Sequence, residues 1–244
     1  NSECTIDDNS FTDMYNYAIQ IAVNSAGNIQ DNRFVSGRKA SVAVSGLSTP
    51  LIERNSFTKS YATGVFIFDS GKPNVEANDF VGCMLAAIEI RDEGSDPIVL
   101  NNTIRDGSDG GIVVHNHARG TIKGNTISGN AKAGITMCTG AKALIAENSI
   151  VSGKGSGILC HCDAGGVVRA NRISQTEKAG VEMRKRAATH VLGNIITAGL
   201  AQGIYVHTDG KGHFECNQIS KCKGPLVEVC GPGSTPVFKD NELV

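Results

Sequence analysis

The sequence predicts an all-β fold: a right-handed, single-stranded parallel β-helix of about ten 23-residue coils with an asparagine ladder. Three observations predict it. Asn followed two residues later by Ile, Phe or Leu recurs at Asn9, Asn32, Asn55, Asn78, Asn102, Asn125, Asn148, Asn171, Asn194, Asn217 and Asn241, and eight of the ten intervals are 23 residues. Apolar residues ride the same lattice in unbroken columns two positions apart, the period of a strand. No window offers the i, i+3, i+4, i+7 spacing of an amphipathic helix.

Each coil divides into three short strands. The first ends just before the Asn, with its apolar residue three positions upstream, as in Ile29, Ile52, Val75, Val99 and Ile122. The Asn itself is expected at a tight turn, where its backbone tolerates left-handed angles and its amide bonds to the Asn above and below, as stacked amide ladders do. The second strand carries Phe34, Phe57, Phe80, Ile104 and Ile127 two residues after the Asn. The third is entered through Gly64, Gly111, Gly134, Gly157, Gly180 and Gly203, which are expected to allow a bend or a positive φ. It then presents Val65/Ile67, Ile88/Ile90, Ile112/Val114, Ile135/Met137, Ile158/Cys160, Val181/Met183 and Ile204/Val206 to the core. Both 24-residue coils carry the extra residue in the loop after this strand, at Asp92–Asp96 and Gly231–Thr235, so every column stays in register. A leucine-rich repeat would need Leu five residues before the Asn. Gly27, Pro50, Pro73, Pro97 and Gly120 stand there instead.

The lattice runs from end to end, so residues 1–244 are read as one domain with no linker. No polar or helical cap is visible at either end, and solenoids need caps for solubility. This predicts a fragment of a longer chain, or end-to-end stacking, with oligomeric state left open. Lys plus Arg is 23 against 24 Asp plus Glu, which leaves no basic stripe and predicts no nucleic-acid partner. No apolar run reaches the ~18 residues of a membrane helix, so no membrane partner is expected. Eight cysteines without zinc-finger spacing predict a reducing compartment, hence a cytoplasmic or nuclear location.

The unit Asp109-Gly110-Gly111-Ile112-Val113-Val114-His115, followed by Gly120-Thr121-Ile122-Lys123-Gly124-Asn125-Thr126-Ile127, resembles the parallel β-helix repeats also called CASH repeats. It is similar in particular to the β-helix region of the F-box ubiquitin-ligase receptor that carries such repeats. The resemblance covers the whole chain and implies the β-helix. It further implies a non-catalytic protein-recognition scaffold, the substrate-receiving part of a ubiquitin-ligase component. The alternative is a carbohydrate-active or carbohydrate-binding β-helix of the lyase or hydrolase kind.

The outward positions of the third strand are the richest in chemistry. They carry Phe66/Phe68, Glu89/Arg91, Val113/His115, Thr136/Cys138, Leu159/His161, Glu182/Arg184, Tyr205/His207 and Glu228/Cys230. Aromatic residues and Arg are what binding hot spots are enriched in, so the partner-binding face is assigned to Phe66, Phe68, Arg91, His115, Cys138, Leu159, His161, Arg184, Tyr205 and His207, with a protein as the expected partner. His115, Cys138 and His161 fall on successive coils, but a structural zinc site wants four ligands, and no metal or other cofactor is expected. No catalytic residue is assigned. The runner-up pair is Glu182 and Glu228, two coils or ~9.6 Å apart by strand spacing, a separation near that of inverting glycosidases. Against that pair, Arg184 beside Glu182 would hold its carboxylate ionised.

Overall fold

A computed structural model of the chain describes residues 3–244. Three short strands per coil stack into three parallel sheets of eleven, eleven and ten strands. The first sheet runs from Glu3–Asp7 to Val237–Lys239, the second from Ser10–Thr12 to Glu242–Leu243, and the third from Ile19–Ile21 to Val227–Cys230. No helix occurs among the described residues.

Identical lattice positions pair from coil to coil, as Ile122 with Ile145 and Ile145 with Val168. The two inserted residues leave this register intact: Val75 pairs with Val99, and Phe214 with Phe238. The inward columns fill the interior, and Ile52, Val65, Ile88, Ile112, Ile135, Ile158 and Ile204 are fully buried. Phe11, Phe34, Phe57 and Phe80 form a continuous ring stack with centroids 4.5–5.0 Å apart. Cys160, expected to turn inward by strand alternation, is buried, and that burial pushes its thiol up to about 12.

The asparagine ladder is buried from Asn32 to Asn217. In each rung the side-chain oxygen accepts both the backbone N–H and the amide N–H of the preceding Asn, as Asn148 Oδ1 does from Asn125 at 2.9 Å each. The remaining amide N–H donates to a carbonyl of the preceding coil, Asn148 Nδ2 to Ile122 O at 3.0 Å.

Two local expectations are corrected. The left-handed residue at this corner is the one before the Asn, such as Arg54 (φ 52°), Glu147 (φ 55°) or Ala170 (φ 53°), and the ladder asparagines keep ordinary angles. The turn thereby aims the amide inward, where its value is hydrogen bonding rather than conformational tolerance. The glycines before the third strand likewise have no positive φ. They are small because there is no room: a Cβ on Gly157 would stand 2.4 Å from Ile173 Cγ2 and 2.7 Å from the Gly180 carbonyl.

Candidate functional site on the third sheet

From Ile88–Arg91 onward the third-sheet strands alternate inward and outward, so two outward columns run along the rod. One column carries Phe66, Glu89, Val113, Thr136, Leu159, Glu182, Tyr205 and Glu228 in successive register. The other places Arg91 beside His115, Cys138 beside His161, and Arg184 beside His207 and then Cys230. Neighbours in either column are ~4.8 Å apart, within reach of side-chain contact.

The densest cluster is built around Glu182, which is only 9% exposed. Ser156 Oγ donates to Glu182 Oε2 at 2.6 Å. His207 Nε2 lies 3.2 Å from Glu182 Oε1, and an Arg184 guanidinium nitrogen lies 3.5 Å from the same oxygen. Burial by itself would raise the Glu182 carboxyl. The hydrogen bonds from Ser156 and His207 and the charge on Arg184 outweigh it and hold the group below its ordinary range. Arg184 keeps a buried Nε with no hydrogen-bond partner.

Around that carboxylate stand the groups that can move protons. The Tyr205 ring stacks on His207 with centroids 4.3 Å apart, and its hydroxyl lies 3.2 Å from Cys230 Sγ. That contact, then burial and the nearby Glu228 and Glu182 charges, push the phenol up to about 12. On the other side of Arg184, His161 has its Nδ1 3.1 Å from Cys162 Sγ, and its Nε2 has no hydrogen-bond partner among the described residues. Burial, then the charges of Arg184 and Lys185, push the His161 imidazole below its ordinary range. Leu159, in register with Glu182, supplies an apolar wall.

The residues assigned from sequence gather about two centres along this face. Leu159, His161, Arg184, Tyr205 and His207 gather about Glu182. Phe66, Phe68, Arg91 and His115 gather about Glu89, with Arg91 4.7 Å above the Phe66 ring and His115 Nε2 3.1 Å from Glu89 Oε1. Cys138 lies between, half-buried, its thiol raised by burial. Of the runner-up catalytic pair, Glu228 accepts from Gln202 Nε2 at 2.7 Å, and Glu182 is held by Ser156, His207 and Arg184. Among the described residues, three donor side chains come within 4.8 Å of one another at Glu215, Cys216 and Asp240, away from the His/Cys column. Ser156, Gln202 and Thr63 were not singled out from sequence. Their signal was available, since each stands 26 residues before the glutamate it bonds, one coil back at the mouth of the third strand.

The family described as a right-handed beta helix region matches residues 1–150 and 116–244. No curated protein matches the chain. Among solved structures, the chain is similar to the periplasmic alginate epimerase AlgG at 16% identity and a TM-score of 0.83, covering 91% of this chain and 61% of that one. It is similar to the A-module of the Azotobacter vinelandii mannuronan C-5 epimerase AlgE6 at 14% identity and a TM-score of 0.66, covering 99% and 80%. It is also similar to the Agl-KA catalytic domain at 14% identity and a TM-score of 0.55, covering 96% and 62%. The chain thus spans less than two thirds of the AlgG chain it matches. At these identities the likeness is one of fold.

These findings overturn the expectations of a ubiquitin-ligase recognition scaffold and of a cytoplasmic or nuclear location. The structures it resembles are a periplasmic alginate epimerase and a mannuronan C-5 epimerase, and the finer likeness to an F-box receptor has no support beside the repeat itself. The physical reason is that the 23-residue lattice encodes interior packing, which proteins with unrelated surfaces share. With both halves matched and an unbroken ladder between them, the chain belongs to the right-handed beta helix family.

Proposed function

We propose that this protein acts on an acidic polysaccharide, outside the cytoplasm, by proton transfer at the sugar carbon next to a carboxylate. One observation carries this reading. A guanidinium, Arg184, lies on the coil between that of His161, an imidazole pushed below its ordinary range by burial, and that of Tyr205, a phenol pushed up to about 12, on one outward face. The likeness of fold to alginate and mannuronan epimerases supports the choice of a uronan as the polymer and, for AlgG, of a periplasmic setting.

The roles follow from the chemistry. Removing a proton from carbon beside a carboxylate builds negative charge on that carboxylate, which Arg184 stabilises. His161 Nε2 takes the proton as general base. The electron pair passes into the carboxylate and then returns, either to the same carbon, which takes a proton from Tyr205 on its opposite face, or into a new carbon–carbon double bond as the glycosidic carbon–oxygen bond breaks and the leaving oxygen takes the Tyr205 proton. Glu182 with Ser156 positions Arg184 and His207. Hydrolysis by a carboxylate pair fits poorly, because a general acid needs a raised pKa and that of Glu182 is lowered.

The test is incubation with mannuronan and with polygalacturonate in deuterated buffer, reading deuterium at the carbon next to the carboxylate by NMR and unsaturated uronate by ultraviolet absorbance. Exchange or unsaturation is expected, falling by ~10²-fold or more in His161→Ala and in Tyr205→Phe. Because the imidazole is already below its ordinary range, the rate should hold through neutral pH and fall only on further acidification. The absence of both exchange and unsaturation with both uronans would remove the catalytic reading.

A further inference from the structure

We propose that Thr63, Glu89, Arg91 and His115 form a second, binding-only site for a sugar carboxylate of the same polymer. This rests on the reading of the Glu182 cluster as a uronan site. The two clusters carry a hydroxyl, a carboxylate, an imidazole and a guanidinium at matching lattice positions. Thr63 Oγ1 donates to Glu89 Oε2 at 3.4 Å, as Ser156 does to Glu182. His115 Nε2 lies 3.1 Å from Glu89 Oε1, as His207 Nε2 does 3.2 Å from Glu182 Oε1. Arg91 and Arg184 stand two residues after their glutamates, but Arg184 reaches Glu182 Oε1 at 3.5 Å whereas Arg91 Nε faces Asp92 Oδ2 at 3.3 Å. Four coils separate the clusters, about 19 Å along the rod at the spacing of paired strands.

What differs is as informative as what is shared. The position of Tyr205, in register with its glutamate, is taken by Val113. The position of His161, one coil before the arginine, is taken by Phe68. Both proton-transfer groups are therefore gone, while the guanidinium, imidazole, carboxylate and hydroxyl remain. Phe66 and Phe68 stack at 4.6 Å, and Arg91 lies 4.7 and 5.8 Å from their centroids. Such cation–π contacts fix a guanidinium without using its N–H groups, leaving donors for a carboxylate. Asp92 Oδ2, 3.3 Å from Arg91 Nε, is the competing anion that a ligand must displace or share. The His115 imidazole is raised by its hydrogen bond to Glu89, which favours a cation beside the bound carboxylate.

A linear polymer touching both clusters gains avidity that a short oligomer cannot. The experiment is isothermal titration of mannuronan and of its disaccharide against the wild-type chain, Arg91→Ala, His115→Gln and Arg184→Ala, with circular dichroism confirming the fold of each. The ratio of polymer to disaccharide affinity is expected to fall by ~10-fold or more in Arg91→Ala and to fall in His115→Gln, since the bridged mode is lost. An unchanged ratio in both, with polymer binding weakened by Arg184→Ala, would overturn the second site and leave the first standing. Polymer affinity unaltered by Arg91→Ala and Arg184→Ala alike would overturn the reading of this face as a uronan surface, and the second site with it.

Discussion

At the scale of single residues, the ladder asparagine is the costliest side chain to change. Asn148 Oδ1 accepts two N–H groups of Asn125, its own backbone N–H and Nδ2 donate to Asn171 Oδ1, and Nδ2 also donates to Ile122 O. Asn148→Ala would leave the buried backbone N–H of Asn125 without its acceptor and remove the amide bond to the Ile122 carbonyl. A buried unsatisfied N–H costs ~1–3 kcal/mol, so about that much stability should be lost, measured as a shift in urea unfolding midpoint. Its neighbour Glu147 sits in the left-handed region at φ 55°, a conformation that costs a non-glycine residue ~1–2 kcal/mol. The ladder offsets that strain once per coil. This is why Arg54, Ala77, Glu147 and Ala170, none of them turn formers, stand at this corner.

At the scale of the element, the third strand is set by how closely its entry glycine approaches the second sheet. Gly134, Gly157, Gly180 and Gly203 each face an Ile Cγ2 of the coil ahead at 2.3–2.7 Å from where a Cβ would lie. Gly157→Ala is therefore an overpacking change, and the nearby Gly180 carbonyl leaves the added methyl no path out. A cost of ~1–3 kcal/mol is expected, again read from the unfolding midpoint, whereas Gly193→Ala introduces no contact within 4 Å and carries only its φ of 61°. The same close approach positions the outward face. It brings Ser156, just before Gly157, against the Glu182 carboxylate one coil on.

At the scale of the whole molecule, every strand pairs only with its counterparts one coil away, so stability is a sum of coils and nearest-neighbour interfaces. Coils with exposed apolar residues should then open first. In the strand Val237–Lys239 all three residues are exposed, including Phe238, whereas Ile145, at the same lattice position four coils earlier, is fully buried. Amide hydrogen exchange should show the first-sheet strand at Val237–Lys239 exchanging well before that at Leu144–Ala146, since local opening follows the apolar contacts that must be broken. Uniform protection along the rod would instead indicate all-or-none unfolding.

The sequence by itself determined the architecture: the period, three strands per coil, the inward columns, the buried ladder and the tolerance of the two inserted residues. A repeat writes each position many times over, so a column of Ile and Val at one lattice point leaves a single way to bury it. It also placed Glu182, Arg184, Tyr205 and His207 together on an outward face, through the alternation of side chains along a strand. Only the tertiary structure decided which of them meet. The Glu182–His207 and Glu89–His115 contacts cross from one coil to the next and from one column to the other, and such diagonal pairing depends on rotamers that no period encodes. It likewise assigned the left-handed angle to the residue before the Asn and the glycines to a steric limit, because both follow from interatomic distances between coils. Function stood furthest from the sequence pattern, since the lattice records what fills the interior while the chemistry sits in the few outward side chains that the lattice leaves free to vary.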